Sequence, residues 1–285
     1  MRVILRPGTP EDAEACGAIC FEAIKSIAAE HNFPRPFPSA EVATGLMARR
    51  LAHPGHYSDV AESAGKVLGS NFLDERNPIA GIGPITVDPA VQKQTIGRQL
   101  MFDVLARCAQ RDVAGVRLVQ SAYNNRSLCL YAKLGFETRE PLSKLGGEPL
   151  GISFAGYAVR PAVKADVSAC NALCQRVHGY HRGRELGDSV DQGSARVVEH
   201  LGLITAYATD IALSGHAVAD SNQSLKALIG AASGFLRGGF LVPTRNGELF
   251  RWCLQHGLRL EHQMTLMTIG LYNEPAGAYL PSVLY

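Results

Sequence analysis

The sequence predicts an α/β protein made of two consecutive copies of one domain, each an α+β mixed sheet flanked by helices. Three observations carry this. First, Val3–Cys20 reads VILRPGTPEDAEACGAIC and Tyr157–Cys174 reads YAVRPAVKADVSACNALC. Arg6-Pro7, Asp12, Ala15-Cys16 and Cys20 match Arg160-Pro161, Asp166, Ala169-Cys170 and Cys174, each pair 154 positions apart. Second, Asn124, Gly135 and Phe136 match Asn246, Gly257 and Leu258 at an offset of 122. Third, periods of two and of 3.6 residues alternate along the first copy, which marks strands and helices succeeding one another. The stretch 141–156, PLSKLGGEPLGISFAG, is rich in turn formers and suits a linker. The expected domains are therefore residues 1–145 and 155–285.

The elements of the first copy follow in order. Val3–Arg6 is a short strand. Thr9-Pro10-Glu11-Asp12 supplies an N-cap, a proline at the first helical position and an acidic third residue. Ala15, Ile19, Ala23 and Ile27 then fall on one helix face. NFPRPFP (32–38) cannot be helical and is read as a loop. Glu41–Leu51 is a second helix, and Tyr57–Ala61 with Gly65–Phe72 forms a hairpin. Ile79–Val87 is the next strand, interrupted by Gly81, Gly83 and Pro84. Ile96, Leu100, Val104 and Cys108 line one face of the next helix, Val116–Ala122 is a strand and Ser127–Lys133 a helix.

The junction at Asp88-Pro89 is the most chemical part of the chain. A polar turn, Gln92-Lys93-Gln94-Thr95-Ile96-Gly97-Arg98, opens directly into a helix. Such a turn aims backbone N–H groups and the positive end of a helix dipole at one point, a site for phosphate or pyrophosphate. After the next strand come Asn124, then Tyr131, then Gly135-Phe136. This arrangement resembles the acetyl-CoA-binding core of the GNAT acetyltransferase superfamily, with Gln92 and Gly97 in register and Thr95 where the family's first glycine is usual. The resemblance implies two tandem GNAT-like domains, with the sheet splayed between the strand before the turn and the strand after the helix. It implies acetyl-CoA as cosubstrate and an amine, on a small molecule or peptide, as acceptor. Backbone groups of Ile85, Thr86 and Val87 would meet the pantetheine arm. Gln92, Lys93, Gln94, Thr95, Ile96, Gly97 and Arg98 would cradle the pyrophosphate. Asn124 and Ser127 would bind the cofactor arm, and Tyr131 would protonate the departing thiolate. By residue type alone, Tyr131 is equally a core tyrosine, Asn124 a helix N-cap and Arg98 a solvated arginine. Without the catalytic roles, the same residues describe a non-catalytic acyl-CoA sensor.

No general base stands out. Asp74 and Glu75 in DERNP read as a solvated turn, and His31, His53 and His56 as surface histidines beside loops. In the second copy the offset is 150 at Gly65/Gly215 and 122 at Asn124/Asn246, so 28 residues that hold the phosphate turn in the first copy are missing. Cys253 stands in place of Tyr131. The second copy is therefore expected to keep the fold without the cofactor site, leaving His178, Tyr180 and His181 as interface or acceptor-cleft residues.

Composition bounds the rest. The 285 residues are 46% hydrophobic and 19% charged, with 28 basic and 26 acidic side chains. A net charge of +2 gives no footprint for a nucleic-acid or membrane partner. With no apolar leader, no apolar run long enough to span a bilayer and seven cysteines inside apolar patterns, the expectation is a cytoplasmic monomer or homodimer with reduced thiols and no bound metal. The apolar tail MTLMTIGLYNEPAGAYLPSVLY, with Tyr272, Tyr279 and Tyr285, is expected to pack across the domain interface or near the acceptor cleft.

Overall fold

The computed structural model describes residues 2–92, 94–235 and 238–284. The chain forms two compact units, 1–116 and 117–285.

The first unit starts with β1 (Ile4–Pro7), a 3-10 turn at Pro10–Asp12, α1 (Ala13–Glu30) and α2 (Ala40–Ala52). Then follow β2 (His56–Ser63), β3 (Lys66–Asp74), β4 (Ile79–Ile82), β5 (Thr86–Val87), a 3-10 turn at Pro89–Val91 and α3 (Ile96–Gln110). β1, β2 and β3 pair antiparallel in that order. β3 then takes two partners along its length. β5 lies against Gly69 and Ser70, and β4 against Leu73 and Asp74. The single strand expected over 79–87 is thus two strands, because Pro84 offers no N–H to continue the ladder. Strand alternation sorts the core onto two faces. Val60 and Phe72 pack with Cys16, Cys20 and Met47 of α1 and α2, whereas Ala61 and Leu68 pack with Ile96 and Leu100 of α3. α1 and α2 approach so closely that a Cβ on Gly17 would lie 2.4 Å from Thr44 Cα, so only glycine fits there.

The second unit begins within β6 (Gly115–Ser121) and continues through α4 (Asn125–Lys133) and β7 (Glu137–Gly146). The repeat follows with β8 (Tyr157–Pro161), α5 (Val167–His178), α6 (Gly183–Asp191), β9 (Arg196–His200), β10 (Leu203–Ala208) and β11 (Ala217–Ala219). Last come α7 (Asn222–Ala231), β12 (Phe240–Pro243), α8 (Gly247–Gln255), β13 (Arg259–Gly270) and β14 (Ala278–Leu280). One run of strands is β14-β11-β10-β9-β8 and another is β6-β13-β7-β12.

The second run exchanges strands. β6 and β7 come from the first repeat and β12 and β13 from the second, yet β13 lies between β6 and β7, and β7 between β13 and β12. That exchange is why the compact units divide ahead of the repeat boundary. It also corrects the linker reading of 141–156. Pro141–Gly146 belong to β7, hydrogen-bonded on both sides, with Leu142 and Leu145 fully buried. Pairing on two edges outweighs a turn-like composition.

The repeat itself is visible in side-chain detail. Arg6 pairs with Asp12 at 2.8 Å and with Glu62 at 2.8 Å, and Arg160 pairs with Asp166 at 2.7 Å and Glu199 at 2.7 Å. Asn124 Oδ1 accepts from Ser127 N at 3.1 Å, and Asn246 Oδ1 from Leu249 N at 3.3 Å. Gly135 and Gly257 both terminate their helices at positive φ, 95° and 88°.

The tail runs from β13 into β14, which pairs antiparallel with β11 through Ala217/Leu280, Val218/Tyr279 and Ala219/Ala278. The tail therefore pairs with the second repeat's own β11, where Ala278, Tyr279 and Leu280 are buried, and it also meets first-repeat strands, Tyr279 donating to Glu140 at 3.4 Å and Arg117 Nη2 to Leu271 O at 3.3 Å. Tyr285 lies outside the described residues.

Candidate active site

In the first unit the site is built on the exit of β5. Asp88 N donates to Leu68 O of β3 at 2.8 Å. Backbone direction alternates along a strand, so the groups of Val87 point to the other side. Gln92 confirms this, its Nε2 donating to Val87 O at 3.2 Å. The Gln92 side chain thus ties the turn to β5. Asp88 Oδ1 accepts from Ala90 N at 2.9 Å and closes the 3-10 turn.

Thr95 begins α3 with φ 65° and ψ −2°, in the left-handed region, and its side chain makes no capping bond. The conformation is the one glycine adopts without penalty; threonine there costs on the order of 1–2 kcal/mol. The first intrahelical bond is Gln99 N to Thr95 O, 3.0 Å. The N–H groups of Ile96, Gly97 and Arg98 come before it and have no acceptor within the helix. At Gly97 an added Cβ would meet only Val87 Cγ2, at 3.7 Å. Protein packing therefore does not require glycine at this position, and the space a Cβ would fill lies at the helix mouth. Ile96 is buried and anchors the turn, while Gln94, Thr95 and Arg98 are exposed, Arg98 with its guanidinium 5.1 Å from the Phe102 ring centroid. Thr86 is buried and Ile85 and Val87 half-buried. Lys93 lies outside the described residues.

In the second unit, Asn124 caps α4, and Tyr131 is 6% exposed with its ring centroid 6.0 Å from that of Phe136. Burial pushes the Tyr131 hydroxyl up to about 12, and a hydrogen bond with Ser127 opposes the shift. The phenol keeps its proton at neutral pH. At the matching place in the second repeat, Cys253 is fully buried and its thiol is likewise pushed up to about 12. β11 passes into α7 through Asp220 and the N-cap Ser221, with no turn like 92–98 between them. His178 and Tyr180 are buried, and His181 is exposed.

Several polar residues differ from their sequence reading. Asp74 is buried, held by Arg76 at 2.5 Å, and Glu75 pairs with Arg107 at 2.5 Å and Arg111 at 3.4 Å. Neither is a solvated turn residue. His31 bonds Ile27 O and His53 accepts from Gly55 N, but His56 is tucked against Asp74 at 3.7 Å. Burial lowers the His56 ring to about 4, so it is neutral at physiological pH. Asp59 on β2 is 1% exposed, and no side chain donates a hydrogen bond to either of its carboxylate oxygens. Burial first, and then the charge of Asp103, raise it to about 7. Only the folded state keeps this proton between about pH 4 and 7. The associated stability is present at low pH and is lost as pH rises to about 7. Asp59→Asn is therefore expected to stabilise the protein by roughly 2–4 kcal/mol at about pH 8, and by clearly less at about pH 5. Urea melts at the two pH values check this; an equal gain at both would mean that Asp59 is ionised in the fold. Among the described residues no group of three or more His, Cys, Asp or Glu could hold a metal ion, and no helix is long and apolar enough to cross a membrane.

Comparison with known proteins bears on the same residues. The profile of the acetyltransferase (GNAT) family matches residues 22–136. A mycothiol acetyltransferase of Nocardia farcinica is 33% identical over 75 residues, which span 25% of this chain and 25% of that protein. Among solved structures, a Pyrococcus horikoshii protein assigned as an acetyltransferase superposes with a TM-score of 0.74 at 20% identity, covering 97% of this chain and 94% of that one. A tandem GNAT protein from the clavulanic acid biosynthesis pathway superposes with a TM-score of 0.56 at 15% identity, covering 99% of this chain and all of that one. These two likenesses are of fold.

Proposed function

We propose that the chain, whose residues 22–136 match the profile of the acetyltransferase (GNAT) family, transfers an acetyl group directly from acetyl-CoA to a primary amine. The observation that carries this reading is the mouth of α3. Three N–H groups precede the first helical bond there, Thr95 holds a glycine-like φ, and Gly97 leaves open space that packing does not require. The pyrophosphate of acetyl-CoA would sit on the N–H groups of Ile96, Gly97 and Arg98, with Gln92 bracing the turn and Gln94 at its rim. Ile85, Thr86 and Val87 would face the pantetheine arm. The N–H of Val87, turned away from β3, would polarise the thioester carbonyl. Asn124 and Ser127 would contact the arm.

The amine nitrogen attacks the thioester carbonyl carbon, the C–S bond breaks, the thiolate takes a proton from Tyr131, and the proton shed by the amine nitrogen passes to solvent water, from which the tyrosine is reprotonated. A tyrosine whose hydroxyl is held at about 12 keeps that proton until the thiolate forms. The second repeat, with α7 directly after β11, is assigned no cofactor. A thiol-release assay over a panel of amines tests the activity, and the absence of acetyl-CoA-dependent thiol release for all of them would favour a sensor.

Tyr131→Phe keeps the packing against Phe136 and removes the proton donor. It is expected to lower kcat by a factor on the order of a hundred, with the affinity for acetyl-CoA little changed. Full turnover in a stable variant would take Tyr131 out of the chemistry.

A further inference from the structure

The Asp74 end of β3 holds a buried guanidinium whose N–H groups are not all met among the described residues. Arg50, in the last turn of α2, is 7% exposed, and its Nε and Nη1 are buried without a hydrogen-bond partner. Burial lowers the Arg50 guanidinium to about 10, and the charge of Asp74, which is already engaged, opposes that shift. Asp74 Oδ1 accepts from Arg76 Nε at 2.9 Å and from Arg76 N at 3.1 Å, and Oδ2 accepts from Arg76 Nη2 at 2.5 Å. Arg49 and Arg76 add positive charge around Arg50, and the nearby Cys20 thiol, pushed up to about 12 by burial, stays neutral. His56, paired across the strands with Asp74, is neutral as well, and its Nδ1 is a second buried atom without a partner. A buried guanidinium with unmet N–H groups costs several kcal/mol and calls for an oxyanion. The planar fork of arginine suits a carboxylate.

We propose that Arg50 binds a carboxylate of the acceptor, which makes the acceptor class a small molecule or peptide carrying both an amine and a carboxylate. This rests on the acetyltransferase reading. Its location agrees with that reading. β5 meets β3 at Gly69 and Ser70, and β4 meets it at Leu73 and Asp74. The two ends are about 15 Å apart along the strand. A donor arm anchored at the α3 turn and extended back along β5 and β4 points its thioester toward the Arg50 end.

Two measurements test this. In thermal melts, sodium acetate should raise the Tm of the parent protein above that in sodium chloride of matched ionic strength, and should not do so in Arg50→Met. In chloride, Arg50→Met should melt at or above the parent temperature, since it removes a buried guanidinium with unmet N–H groups. In turnover, Arg50→Met should lower kcat/KM about a hundredfold for L-amino acids and leave their decarboxylated amines unchanged. Arg50→Lys, which keeps the charge and loses the fork, should fold and lose most of the preference for the carboxylate. An unstable Arg50→Met variant together with no effect of acetate on the parent would make Arg50 a structural residue and overturn the proposal. Equal loss on amino acids and on simple amines would overturn it too. Acetate binding through Arg50 in a protein that acetylates no amine would uphold the carboxylate site and overturn acetyl transfer instead.

Discussion

Gly97→Glu is expected to abolish acetyl-CoA binding, lowering affinity by a factor on the order of a thousand or more, in a protein that still folds. The fold should survive because an added Cβ meets only Val87 Cγ2, at ordinary van der Waals distance, and because position 97 lies on the half-buried first turn of α3. A glutamate is also well placed at a helix N-terminus for stability. Binding should fail because the side chain would enter the pyrophosphate's space and set its negative charge beside a doubly charged group. Calorimetry reads both parts. The parent should bind one acetyl-CoA per chain, since the second repeat has no equivalent turn, and the variant none. Unchanged affinity in the folded variant would mean that phosphate binds elsewhere, and two equivalent sites per chain would contradict a cofactor-free second repeat.

Removing the chain beyond Gly270 is expected to destabilise the second unit by an amount comparable to a domain's whole stability, on the order of 5 kcal/mol or more. The deletion strips β14 from β11, leaves a hydrogen-bonding edge bare and uncovers the apolar residues around Ala278, Tyr279 and Leu280. Tyr279 also carries a 3.4 Å hydrogen bond to Glu140, which its loss leaves to Arg245 alone among the contacts described. Urea melts and solubility would show this as a lowered midpoint and aggregation. A truncated protein that melts like the parent would mean that the tail is an adornment and that β11 closes its edge by other means.

Much of this was legible in the sequence where the relevant atoms are close along the chain. Arg6 and Asp12 are six residues apart and their pairing recurs at Arg160 and Asp166, so the repeat could be read directly; Glu62 and Glu199, which complete each triad, arrive from distant strands and could not. Thr95 stands where a glycine is usual, and the backbone still takes the left-handed turn. The local path was therefore readable even though the side chain departs from the pattern. The strand Pro141–Gly146 was hidden because its composition is that of a turn, and only its two neighbours, 95 to 124 positions further on in β12 and β13, hold it extended. Asp59, Arg50 and His56 were hidden for a different reason. HYSDVAES and ARRLA look like ordinary amphipathic segments, and nothing local tells that helices and strands will close over those particular polar groups.

The exchanged strands also set the timetable by which the protein can be made. When the ribosome has finished the first repeat, β6 and β7 exist, but β13, the strand that must slide between them, is still more than a hundred residues from being synthesised. Their inner edges must wait unpaired, at seconds-long elongation times, until the C-terminal part of the chain emerges. Loop closure over such a distance is slow, so the sheet that β6 and β7 begin closes only after β13 has emerged. The two repeats are thus coupled during synthesis, because strands of each complete a sheet begun by the other.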